Sequence, residues 1–120
     1  MRYMLLIHDE EKAWNDLPPA KIGAVMEQWG KFHAEIEGSG VMQSCARLKP
    51  AGTATLLRTT KGKARVTDGP FLEAKEQCGG YYLIDVEDLD AALAWAQKVP
   101  MAVDGAVEIR PIWEMDEAQS

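Results

Sequence analysis

Residues 2–8 (RYMLLIH) alternate so that Tyr3, Leu5 and Ile7 fall on one face while Met4, Leu6 and His8 fall on the other. Both faces are apolar, so this segment is expected to be a strand inside a sheet, covered on both sides. The period then changes. Ile22, Val25, Met26, Trp29, Phe32 and Ile36 recur every three or four positions and line one helical face. Pro18-Pro19 suits the first turn of that helix, and Gly38-Ser39-Gly40 ends it. His33 lies on that face or its border, where a hydrogen-bonded core or boundary residue is expected rather than a catalyst.

Period two returns over residues 41–48 and 53–60, the second rich in threonine. Lys61-Gly62 is a hairpin signal, and residues 63–67 are the returning strand. Residues 79–86 (GGYYLIDV) form a further strand, with Tyr82, Ile84 and Val86 on one side and Tyr81, Leu83 and Asp85 on the other. Asp88 is placed to cap a helix whose inner face is Leu89, Ala92, Leu93, Ala96 and Val99, stopped by Pro100. The last strand covers residues 106–113, and Pro111 within it argues for an edge position or a late exit from the ladder. Between the hairpin and residue 79 runs Asp68-Gly69-Pro70-Phe71-Leu72-Glu73-Ala74-Lys75-Glu76. Gly-Pro makes a rigid turn there. The segment reads either as a polar connection plugged by Phe71 or as a loop presenting Asp68, Glu73, Lys75 and Glu76 to a cleft.

Strand, helix, strand, hairpin, strand, helix, strand is an α+β order. It predicts a ferredoxin-like split β-α-β protomer, with both helices on one face of an antiparallel sheet. Two helices cover one sheet face and no more. Met4, Leu6, Tyr82 or Tyr81, Leu83 and Trp113 would then leave apolar residues on both parities of the strands, and monomers rarely expose such a face. A second copy packed sheet against sheet answers this, so a homodimer in the form of a dimeric α/β barrel is expected. The space between the sheets is the natural place for a small molecule.

At 120 residues the chain is one domain, residues 1–120. Nineteen acidic against 13 basic residues give a net charge of −6, which disfavours direct nucleic-acid binding. Arg58, Lys61, Lys63 and Arg65 form the only basic cluster, read as solvated or edge-protecting charge at the hairpin. No apolar run reaches membrane-spanning length. Cys45 and Cys78 lack metal-ligand spacing and read as reduced thiols of a cytoplasmic protein. Neither a metal nor a cofactor is expected.

Residues 68–76, together with Tyr3-Met4-Leu5-Leu6, Gly79-Gly80-Tyr81-Tyr82 and Glu108-Ile109-Arg110-Pro111, resemble the YCII-related family, in its branch with a DGPF-type signature. The likeness runs from Tyr3 to Trp113 and implies a dimeric α/β barrel. Some members resemble small enzymes with a proposed histidine–aspartate pair. Others look like companions of extracytoplasmic-function sigma factors. Trp29 stands where the histidine of that pair is placed, one turn before His33, and Asp9 matches the acidic member. Leu72 and Ala74 replace smaller and hydroxylated residues common in the signature.

Two functions follow. The first is acid–base chemistry on a small molecule in the dimer cavity, with His8, Asp9 and Asp68 catalytic and Phe71, Glu73, Lys75 and Arg110 contacting the ligand, Arg110 as an anion anchor. The second is a non-catalytic regulatory or interaction module with a sigma-factor partner.

Overall fold

The computed structural model describes residues 1–69 and 75–116. Strand β1 (Arg2–Asp9) is followed by a short helix α1 (Glu11–Asn15), the long helix α2 (Pro19–Ser39) and strand β2 (Met42–Arg47). A single 3₁₀ turn (Ala51–Thr53) leads into β3 (Thr55–Thr60) and β4 (Lys63–Asp68). Then come β5 (Gln77–Asp85), helix α3 (Leu89–Gln97) and β6 (Gly105–Pro111).

Four strands form one antiparallel sheet in the order β2-β5-β1-β6, within the α+β class expected from the pattern. β1 is interior, as its two apolar faces required, and β6 lies at an edge, where Pro111 costs no ladder bond. One face is packed. Tyr3, Leu5, Ile7, Tyr82 and Ile84 meet Phe32 and Ile36 of α2 and Ala92 of α3, with Val99 just beyond it, in a single buried cluster. Leu5, Ile36 and Ile84 are fully enclosed. Phe32 stands edge-on to Trp29, Tyr82 and Trp95 at centroid distances of 5.9, 5.3 and 6.5 Å, so one aromatic joins both helices to the sheet.

Local chemistry sets the helix ends. Gly40 takes the left-handed conformation (φ 82°) that closes α2, as the glycine pair at its end predicted. Asp88 caps α3 by accepting a hydrogen bond from the Ala91 N–H at 2.9 Å. At the hairpin, Lys61 (φ 51°) and Gly62 (φ 79°) both adopt positive φ, the requirement of a tight two-residue turn. That hairpin joins neither edge of the main sheet. It forms a second, two-stranded sheet of its own.

Candidate functional site

Among the described residues, α2 and α3 both pack on that one face, and neither covers the sheet's other face. Cross-strand pairing arranges it in rows. Ala46, Tyr81, Leu6 and Glu108 lie side by side across β2, β5, β1 and β6, and Ser44, Leu83, Met4 and Arg110 form the next row. Met4, Leu6, Tyr81 and Leu83 therefore make a half-buried apolar block at the centre. They are the residues whose parity set them opposite the core.

Charge frames this block at both ends. At one end the Arg2 guanidinium grips Glu114 through two bonds of 2.7 Å, which hold the Glu114 pKa below the ordinary carboxylate value. At the other end lies a histidine–carboxylate–arginine cluster. His8 Nε2 is 2.9 Å from Glu108 Oε1, and Arg110 Nε is 3.6 Å from Glu108 Oε2. A carboxylate can only accept, so Nε2 carries the hydrogen that it donates to Glu108. The basic lone pair of a neutral His8 is then on Nδ1. Glu108 sets the ring's tautomer and orientation, and Arg110, largely exposed, holds a positive charge beside it. The cluster thus sets an oriented imidazole and a guanidinium on either side of one carboxylate.

The pairing that builds this cluster is long-range: β1 and β6 set Leu6 opposite Glu108, with His8 one row away on the same face. Alternation within residues 106–113 places Glu108 and Arg110 on one parity. It does not say what stands across from them. Arg110 was expected from the sequence; Glu108, which connects it to His8, was not.

The remaining candidates are dispersed. Asp9 follows His8 and by alternation points to the opposite side of β1, near Gly79. Burial, reinforced by the charge of Glu11, pushes its carboxyl up from the ordinary value, with Arg47 opposing. Glu11 itself ties this corner together, its carboxylate accepting from the Ala51 N–H at 2.8 Å and its own N–H donating to Gln77 Oε1 at 3.2 Å. Lys75 borders a shallow polar cleft of about 450 Å³ shared with Glu10, Lys12, Asn15 and Asp16, away from Arg110. Asp68 ends β4, on the separate ribbon. Phe71 and Glu73 lie outside the described residues.

His33 behaves as a boundary residue. Its Nε2–H donates to Glu37 at 3.0 Å, and its Nδ1 accepts from the Tyr82 hydroxyl at 3.3 Å. Burial, aided by Cys45, pushes the pKa of that tyrosine up from its ordinary value. Cys45 and Cys78 are both free thiols. Among the described residues no cluster of His, Cys, Asp and Glu is arranged to hold a metal ion, and no helix is long and apolar enough to cross a membrane.

Comparison with known proteins finds similarity over nearly the whole chain. An uncharacterized protein of Rhizobium meliloti (strain 1021) is 34% identical over 114 residues, spanning 93% of this chain and 92% of its own length. The profile of the YCII-related domain matches residues 1–116. By both measures the chain belongs to the YCII-related family.

Proposed function

We propose that the helix-free sheet face binds a small anionic molecule and performs acid–base chemistry on it, in a cavity completed by a second copy of the chain. The His8–Glu108–Arg110 cluster carries this reading. It combines an oriented imidazole with a cation at the border of an apolar block, and in neutral-histidine form it bears no net charge of its own. Arg110 would hold a carboxylate or similar anion while His8 Nδ1 takes or returns a proton. A second copy over Met4, Leu6, Tyr81 and Leu83 would exclude water and strengthen both interactions. The free thiols support a cytoplasmic setting.

Thermal shift against a panel of small mono- and dicarboxylates tests the proposal. A ligand present at 100 times its Kd should stabilise the protein by about 2.7 kcal/mol. His8→Asn and Arg110→Gln should remove that gain, and His8→Asn should also end any turnover seen by NMR. Equal stabilisation of both variants would refute the assignment. Recovery of a sigma factor from cell extract by a protein that no panel member stabilises would favour the regulatory function instead.

A further inference from the structure

The β3–β4 ribbon is built as though it were half of an interface. Among the described residues it joins no other strand, every residue of β4 is exposed, and only Leu56 of β3 is partly covered. A lone two-stranded hairpin is marginal in water. Its pairing makes this one less self-sufficient still. Leu57 stands opposite Val66 on one face, 64% and 65% exposed, and Arg58 stands opposite Arg65 on the other, with Lys63 on the same side.

The ribbon also breaks the compactness of the protein. A 120-residue globule has a radius of gyration of about 14 Å. This chain has 16.6 Å, with extents of 47 × 45 × 19 Å. It is a plate one sheet and one helix layer thick, with an arm.

Charge is divided in the same way. Residues 55–68 hold four of the chain's 13 basic side chains and one of its 19 acidic ones, Asp68, which leaves nine against eighteen, or −9, for everything else. The rest of every other copy therefore carries the net charge opposite to this arm. Duplex nucleic acid is the poorer partner, because the −9 body opposes its phosphates and a phosphate backbone gives Leu57 and Val66 nothing to bury against.

We propose that the β3–β4 ribbon is an arm that docks on a second copy of this chain, laying Leu57 and Val66 against it and Lys61, Lys63 and Arg65 over its acidic surface. By two-fold symmetry each protomer gives one arm and receives one. The inference rests on the two-copy assembly proposed above and adds a contact distinct from the sheet face.

Analytical ultracentrifugation over a concentration series separates the two contacts. The probes are the wild type, the arm variants Leu57→Asp/Val66→Asp and Lys63→Glu/Arg65→Glu, and the face variant Leu6→Asp. The arm substitutions are at exposed positions, so far-UV circular dichroism should show the protomer fold intact. Losing two apolar anchors should raise the dimer Kd about 100-fold. Charge reversal should weaken it less, with an effect that shrinks as salt rises. Dissociation by the arm variants supports the inference whether or not Leu6→Asp also dissociates the protein; if Leu6→Asp leaves the dimer whole, the roofed site fails alone. Dissociation by Leu6→Asp with the arm variants fully dimeric overturns the arm and leaves the roofed site standing. A wild type that is monomeric throughout overturns both. A loss of duplex-DNA binding in Lys63→Glu/Arg65→Glu without change of mass overturns the arm in favour of a nucleic-acid-binding ribbon.

Discussion

Replacing glycine by alanine should have opposite consequences at two positions in this protein. Gly105 begins β6 and pairs with Asp9 across the ladder that carries His8. A Cβ there would sit 2.2 Å from the His8 carbonyl oxygen, 2.8 Å from Met101 Cε and 3.0 Å from the Asp9 Cα. The Met101 methyl can swing aside, but the other two contacts are with the backbone of β1. That strand is held on its far edge by β5, so relief requires β6 to move out by about an ångström, and the ladder bonds next to the His8–Glu108 pair must stretch. Overpacking of this kind costs about 2–3 kcal/mol. Gly30 lies within α2, and a Cβ there meets nothing within 4 Å. Alanine at a helical glycine removes unfolded-state freedom and gains about 0.5–1 kcal/mol. For a chain of this size 1 kcal/mol moves the melting temperature by about 4 °C. Gly105→Ala should therefore melt roughly 8–12 °C below the wild type and Gly30→Ala roughly 2–4 °C above it, by calorimetry at one fixed protomer concentration. A Gly105→Ala protein within a degree or two of the wild type would show that the β1–β6 register, and with it the site, is misplaced.

Two further substitutions probe single interactions. Asp88→Ala deletes the cap on α3 and should cost about 1 kcal/mol in thermal melts; Asp88→Asn should recover most of that, and an alanine variant as stable as the wild type would contradict the capping role. Asp9→Asn tests the buried carboxyl through pH. Because the folded pKa lies above the unfolded one, the native state keeps the proton longer, and the stability this brings is complete below the unfolded pKa and lost as pH rises through the folded one. The asparagine variant should thus be more stable than the wild type at neutral pH, with the advantage shrinking as pH falls through the raised folded pKa and gone once it is below the unfolded one; an advantage independent of pH would assign the effect to something other than burial of the charge.

Much of the fold was legible along the chain. Parity alone assigned Tyr3, Leu5 and Ile7 to one face of β1 and Met4, Leu6 and His8 to the other, and the 3.6-residue period with Gly40 behind it delimited α2 to within a few residues. Asp88, Lys61-Gly62 and Pro111 announced a cap, a turn and an edge. Each of these is settled by neighbours a few positions away, through backbone preference and the side on which a side chain emerges. Helix α1 and the 3₁₀ turn at Ala51–Thr53 were not foreseen, being too short for any period to register.

What only the tertiary structure decided is which distant strands meet, and in what register. His8 and Glu108 are a hundred residues apart. Alternation gives each a face, yet nothing local determines that β6 rather than β2 lies beside β1, or that Leu6 rather than Met4 is opposite Glu108. The same limit applied to Asp68, whose strand could have extended the main sheet and instead belongs to a projecting ribbon. Side-chain direction is a local property of the backbone; strand order and register come from the competition of whole surfaces for burial, and the candidate site exists only where that competition brings separate strands together.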